Sequence, residues 1–272
     1  MALAEAGPGW LFCPADRPER FGKAAAAADV VILDLEDGVA ARDRAAARAA
    51  LVDTPLDPER TVVRVNPAAT DDHALDLEAL GKTKYTTVML AKTEDPQQIR
   101  YLAPLDVVVL IETPLGAVVV NELARIDNAF ALMWGAEDLI AVTGGTANRW
   151  PDGSYRDVAR HVRSQTLLAA KAYGRLALDS VYLDIKDLGG LRAESDDAVA
   201  VGFDAKVAIH PTQVAVVREA YAPTAEQVEW ARHVLDAARD ERGVFQFEGI
   251  MVDAPVLRRA ERIVQLAPHP GA

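Results

Sequence analysis

One pattern constrains this chain more than any other. Nearly continuous apolar, β-branched runs alternate with helix-like segments about eight times in roughly 210 residues. The runs are Trp10–Cys13, Val30–Leu35, Thr61–Val65, Thr86–Ala91, Val107–Ile111 and Phe130–Trp134, with weaker ones near Leu176–Leu183 and Ala205–Ile209. Strands buried on both faces read this way, without the in–out alternation of a half-exposed sheet. Between them, Asp43–Val52, Asp71–Leu80, Asp95–Leu102, Gly116–Ile126, Tyr155–Tyr173 and Ser195–Val201 have helical character, several opening on an Asp or Ser suited to an N-cap.

Strand followed by helix, repeated, means parallel strands joined by helical crossovers. Eight such units predict an α/β fold, a closed (β/α)8 TIM barrel, in preference to an open doubly wound sheet. No Gly-x-Gly-x-x-Gly follows the first run, which counts against a dinucleotide fold. The barrel is expected over 1–221. Residues 222–272 lie beyond its count and read as a C-terminal helical extension: a helix at Thr224–Arg239, a linker around Gly243–Gly249 and a helix near Ala254–Leu266. A barrel does not need this tail, so it is expected to cover something or reach a neighbouring subunit. Gly144–Gly153 reads as a long polar loop after the sixth strand.

Charge and cysteine narrow the class. With 41 acids against 29 Lys plus Arg, the net charge of −12 lacks the basic footprint of a nucleic-acid binder, yet permits a small anion held by local bases. The single cysteine, Cys13, allows no internal disulfide and no Cys-based zinc site, which fits a reducing, cytoplasmic setting. Its apolar neighbours favour an inert core thiol over a nucleophile. The N-terminus lacks signal-peptide features. The longest candidate membrane stretch, Val107–Val120, is broken by Glu112, Thr113 and Pro114, so no membrane association is expected.

Enzymes on this fold carry their chemistry at the C-terminal strand ends. Those positions hold Asp34, Glu36 and Asp37 after strand two, Arg64 and Asn66 at strand three, and Lys92 at strand four. Glu112 follows strand five, Glu137 and Asp138 follow strand six, and His210 follows strand eight. Carboxylates converging without Cys or clustered His select a hard ion, Mg²⁺ or Mn²⁺, and Glu112 with Asp138 form the best ligand pair. Taken singly, each acid could equally cap a helix or pair with a base. Arg64 suits bidentate capture of a carboxylate, or else a structural ion pair with Glu36 or Asp37. Lys92 suits a Schiff base or, more simply, a rim salt bridge. Arg17, Arg20 and Lys23 form a basic turn that could hold phosphates or merely face solvent. His210 before Pro211 reads as a packing residue rather than a base. No Gly-x-Ser-x-Gly elbow, His-Glu-x-x-His pair or Walker loop occurs.

Six segments in order carry a family resemblance. They are Arg17-Pro18-Glu19-Arg20-Phe21-x-Lys23, Asp34-Leu35-Glu36-Asp37-Gly38-Val39, Val63-Arg64-Val65-Asn66, Ile111-Glu112-Thr113-Pro114-x-Gly116, Gly135-Ala136-Glu137-Asp138-Leu139 and Lys206-x-x-Ile209-His210-Pro211-x-Gln213. Together they resemble the citrate lyase β-subunit-like proteins of the HpcH/HpaI aldolase family, relatives of malyl-CoA and citramalyl-CoA lyases. The resemblance spans about Trp10 to Leu266. It implies a Mg²⁺-dependent carbon–carbon lyase that cleaves or forms a 3-hydroxyacyl-CoA thioester, giving a 2-keto acid and an acyl-CoA. It implies Glu112 and Asp138 as metal ligands, Arg64 and backbone N–H groups around Ala136 on the keto-acid carboxylate, and Glu36 and Asp37 behind them. Arg20 and Lys23 would lie near the CoA phosphates. Asp253 would reach a neighbouring subunit's site as the proton-transfer group, which implies a homo-oligomer, a trimer. Thioester hydrolysis at the same site, or service as the citryl-carrier lyase subunit of a larger complex, are the competing readings.

Overall fold

A computed structural model describes residues 3–239, 241 and 243–267. Eight strands close into one barrel: β1 (Gly9–Pro14), β2 (Val30–Asp34), β3 (Thr61–Val65), β4 (Thr87–Leu90), β5 (Asp106–Ile111), β6 (Ala129–Trp134), β7 (Leu176–Asp179) and β8 (Ala205–Ala208). Each runs parallel to the next, and β1 closes the ring by pairing Gly9, Trp10 and Leu11 with Lys206, Val207 and Ala208 of β8. This is the (β/α)8 barrel that the alternation predicts.

The continuous apolar runs have a direct cause. Val30, Ile32, Val62, Met89, Val108, Leu110, Met133, Leu178 and Val207 form one buried cluster drawn from alternate strand positions. The intervening Val31, Leu33, Val63, Val107, Val109 and Leu132 are buried as well. Both faces therefore need apolar side chains, each worth about 1.5–3 kcal/mol when fully buried.

Several boundaries differ from the sequence expectation. Helices at Arg44–Asp53, Asp71–Leu80 and Asp157–Ala172 lie close to it. Gly116–Ile126 is instead two short helices, Pro114–Val118 and Val120–Ala124. The helix expected from Ser195 begins at Leu188, where Asp187 caps the Gly190 N–H. Gly189-Gly190 looks like a breaker, yet a Cβ at Gly190 would meet the Tyr182 hydroxyl at 2.1 Å, so glycine lets the turn close. β7 stops at Asp179 rather than Leu183, because Asp179 and the Ser180 carbonyl both turn to receive the Lys206 ammonium.

The chain divides into two compact units, Met1–Val217 and Arg218–Ala272. The second unit has helices at Ala225–Ala237 and Ala254–Leu266 around a small core of Ala231, Val234, Val252 and Ala260. The expected linker around Gly243–Gly249 is in fact a β-hairpin, β9 (Phe245–Phe247) against β10 (Ile250–Val252). Its two-residue turn has positive φ at Glu248 (47°) and Gly249 (81°), the geometry that matches strand twist. Among the described residues no helix is long and apolar enough to cross a membrane.

Candidate active site

A cavity of about 340 Å³ opens among the strand ends, with Asp34, Arg64, Glu112, Ala136 and Asp138 in its wall and Phe12, Leu110 and Met133 among its apolar lining. The site builds outward from Asp34, the last residue of β2. Its carboxylate is buried and accepts Arg64 Nε and Nη2, each at 2.7 Å. It also accepts the backbone N–H groups of Glu36 and Gly38, each at 2.9 Å. One side chain thus fixes both the guanidinium fork and the turn that carries Glu36 and Asp37. Gly38 must be glycine here, because a Cβ would lie 2.2 Å from Asp34 Oδ2.

Arg64 Nη1 lies 3.3 Å from Glu36 Oε2, and the guanidinium sits 4.6 Å from the Phe12 ring centroid. Its ion-pair partners are therefore Asp34 and Glu36, not Asp37. Burial opposes its charge, but the carboxylates of Asp34 and Glu36 outweigh that and hold it further above its ordinary value. Sequence reading placed Asp34 on the rim without seeing it as the hub. The signal available was the Asp-x-Glu-x-Gly spacing, which puts two N–H donors within reach of one carboxylate.

Lys92 follows β4 with a left-handed backbone, φ 50°. Its N–H donates to Glu112 Oε1 at 2.9 Å. Its ammonium lies 2.5 Å from Glu36 Oε1, 3.0 Å from Asp37 Oδ2 and 3.4 Å from Asp138 Oδ1. Burial opposes its charge, and the surrounding carboxylates raise its proton affinity despite that. The rim salt bridge is the observed arrangement. An imine requires the neutral amine, which this setting disfavours.

Glu112 follows β5 and is buried, whereas Asp138, in the first turn of the short helix Ala136–Val142, has a third of its side chain exposed. Desolvation, together with the Asp138 charge, pushes Glu112 up to about 8, although Arg64 and Lys92 pull it down. Burial is the larger cause, and the neighbouring carboxylate adds to it more than either base relieves. Gly135 permits the approach: a Cβ there would meet Glu112 Cβ and Oε2 at 3.0 Å. Glu137 points instead to Asn148 Nδ2 at 2.5 Å. No group of three or more Asp, Glu, His or Cys side chains suited to a metal occurs among the described residues. An all-oxygen pair fits Mg²⁺, which takes one or two carboxylates and completes its shell with water and substrate.

The other candidates fall elsewhere. Arg17, Arg20 and Lys23 are exposed at the start of the helix Phe21–Ala27, with Arg20 Nε 3.9 Å from Glu19. Cys13 is buried in β1, and burial pushes its thiol up to about 11, so the inert core reading holds. His210 Nδ1 pairs with the Thr212 hydroxyl at 2.8 Å, a local packing role. In the second unit, Asp253 caps the helix Ala254–Leu266 by accepting the Val256 N–H at 3.3 Å.

A second charged cluster joins the ends of β6 and β7 to Lys206 inside β8. Asp179 accepts Trp134 Nε1 at 2.7 Å, Arg163 Nε at 2.9 Å and Lys206 Nζ at 3.0 Å. Lys206 also reaches Glu194 at 2.8 Å, and Glu194 holds Arg149 at 2.8 Å. Although burial opposes its charge, Lys206 and Arg163 hold Asp179 down to about 2.

A closed parallel barrel with an acidic mouth and one fixed arginine fork is a scaffold for chemistry on small anions. The family model of HpcH/HpaI aldolase/citrate lyase matches residues 9–211, and the chain belongs to that family. It is 64% identical over 267 residues to a citrate lyase subunit beta-like protein of Mycobacterium tuberculosis, covering 98% of each chain. It is 32% identical to the mitochondrial citramalyl-CoA lyase of Homo sapiens, over 88% of this chain and 78% of that one. Among solved structures it superposes with a TM-score of 0.94 on the CitE protein of Mycobacterium tuberculosis in complex with magnesium, acetoacetate and coenzyme A. That match has 64% identity and covers 97% of this chain and 99% of the other.

Proposed function

We propose that this protein is a Mg²⁺-dependent carbon–carbon lyase that cleaves, or forms, a 3-hydroxyacyl-CoA thioester to a 2-keto acid and an acyl-CoA. The observation that carries the proposal is the juxtaposition of Glu112 and Asp138 with Arg64 in one cavity. A relative of 64% identity that holds magnesium, acetoacetate and coenzyme A together supports it.

Glu112 and Asp138 hold the cation, Mg²⁺ or Mn²⁺, which when bound supplies charge neutralisation at the substrate's oxygens. Arg64 binds the keto-acid carboxylate. Asp34 occupies its Nε and one Nη2 proton, leaving donors on Nη1 and Nη2 for the substrate. Because the fork is held before substrate arrives, little entropy is lost in orienting it. Glu36 steadies Arg64, and Glu36 with Asp37 organises nearby water from behind. The Ala136 N–H, in a helical first turn without an intrahelical acceptor, adds a donor to the same carboxylate. Arg20 and Lys23 meet the CoA phosphates.

In the cleavage direction a base takes the substrate hydroxyl proton and the C–C bond breaks. The electron pair passes to the thioester enolate, and Asp253 from a neighbouring subunit protonates its carbon. This places a homo-oligomer, a trimer, at the centre of the reading. Metal-loaded protein offered a panel of 3-hydroxyacyl-CoA thioesters should release a keto acid without free thiol. Free CoA thiol instead would make it a thioesterase. Asp253→Asn should abolish release, and an undiminished rate in that variant would remove Asp253 from the mechanism.

A further inference from the structure

Lys92 is the charged residue that the proposed reaction leaves without a task. It touches four carboxylates of the rim. Through its backbone it meets Glu112, and through its ammonium it meets Glu36, Asp37 and Asp138. These groups arrive from β2, β5 and the helix after β6, so one residue spans half the mouth.

Its backbone is as telling as its side chain. Non-glycine residues seldom adopt a left-handed conformation, and those that do cluster at functional sites. Here that conformation aims the N–H at Glu112 while the side chain crosses to β2. A glycine would take φ 50° without strain and keep the same N–H bond. The lysine side chain is therefore kept for something other than the turn.

Glu36 shows what that is. It is buried, and its two oxygens are divided: Oε1 lies 2.5 Å from the Lys92 ammonium, while Oε2 accepts the Asp37 N–H at 2.9 Å and lies 3.3 Å from Arg64 Nη1. Without Lys92, Oε1 loses its cation, and a divalent ion held by Glu112 and Asp138, both of which Lys92 contacts, would draw it. A third carboxylate there would close a position that substrate needs, since catalytic metal sites keep positions open.

We propose that Lys92 is a positioning residue that keeps Glu36 turned away from the cation seat and limits how tightly that seat holds a divalent ion. The inference rests on the metal-dependent reading above. Two effects follow from removing the ammonium, and they have opposite signs. One positive charge is lost 3.4 Å from Asp138, so the cation binds more tightly. Glu36 is released into the seat, so turnover falls.

The test compares Lys92→Gly, Lys92→Met and Lys92→Arg in the full-length protein, with Mn²⁺ as the probe. Electron paramagnetic resonance gives free Mn²⁺, water proton relaxation reports exchangeable waters on the bound ion, and melting reports the fold. Lys92→Gly should melt above Lys92→Met, bind Mn²⁺ roughly tenfold more tightly and lose exchangeable water. Keto-acid release at saturating Mn²⁺ should fall about ten- to a hundredfold in kcat. Lys92→Met should show the same binding and turnover changes with a lower melting temperature, because it keeps the strain. Lys92→Arg should return both towards wild type. Weaker Mn²⁺ binding in both Gly and Met variants, or unchanged kcat, would overturn the proposal. If wild type releases no keto acid from any thioester, the lyase reading fails, while the Mn²⁺ and relaxation readouts still judge Lys92.

Discussion

Two charged clusters sit at the strand ends of the barrel, and they are built on opposite terms. Around β2 to β6, the carboxylates of Asp34, Glu36, Asp37, Glu112 and Asp138 face two cations among the described residues, Arg64 and Lys92. Around β7 and β8, Asp179, Glu194 and Asp197 face Arg163, Lys206 and Arg149, one cation for each acid. Glu112 is pushed up to about 8, while Asp179 is held down to about 2, though both are buried. Burial alone would raise both, so the difference lies in the company each carboxylate keeps. The balanced cluster ties three strands together. The unbalanced one lacks positive charge at the cavity wall, where a cation and an anionic substrate can supply and use it.

That contrast is broken most severely at Glu112. Glu112→Gln removes a proposed ligand and a repelled charge together. Turnover should fall by more than about a hundredfold, beyond the usual cost of losing a supporting residue. Above about pH 8, where the carboxyl carries its charge, the metal-free variant should melt no lower than wild type, since the lost charge was repelled. Steady-state keto-acid release and calorimetry would show the two changes; retained activity would mean the rim does not hold the cation through Glu112.

Asp179→Asn should do the reverse. It takes from the buried Lys206 its fully buried carboxylate partner, and removing one member of a buried pair costs about 3–5 kcal/mol. Urea unfolding should reveal that loss. The pH dependence has a definite sign. Because Asp179 is depressed from 3.8 to about 2, its contribution is present above its unfolded value and is lost as pH falls from there towards 2. The stability gap between wild type and Asp179→Asn should therefore narrow below about pH 4. A gap that widened on acidification would show that the pair is not what holds these strands.

Arg64→Lys sharpens the comparison at one contact. An ammonium cannot reproduce the paired Nε and Nη2 bonds to Asp34 while also offering a second edge. The KM for keto acid in the condensation direction should rise about tenfold, with a smaller change in melting than Asp179→Asn produces. The smallest effect is expected at Cys13. Its buried thiol, pushed up to about 11, should resist iodoacetamide at pH 8 in folded protein and react only on unfolding.

The barrel was legible in the sequence because strands buried on both faces need apolar residues at every position, and Val30–Leu35 or Val107–Ile111 can hardly be read otherwise. The rim was legible because this fold puts its chemistry at strand ends, so Arg64, Glu112 and Asp138 could be picked by position. What escaped was the pairing. Arg64 has Asp34, Glu36 and Asp37 near it in the sequence pattern, and only barrel register decides that Asp34 faces it. Lys92 gave no sign of its left-handed backbone, which tertiary contacts impose. The hairpin at Phe245–Val252 looked like a linker because three-residue strands are too short for periodicity to show. Gly189-Gly190 hid a helix start, since Gly190 serves as clearance beneath Tyr182.

The central claim is that the β2 to β6 rim is left short of positive charge in order to hold one divalent cation. Titrating Mn²⁺ into metal-stripped protein, with free ion read by electron paramagnetic resonance, tests it directly. The account predicts one site per chain in wild type, lost in both Glu112→Gln and Asp138→Asn and kept in a folded Asp179 variant. Binding that survives both rim substitutions, or no binding in wild type, would contradict it.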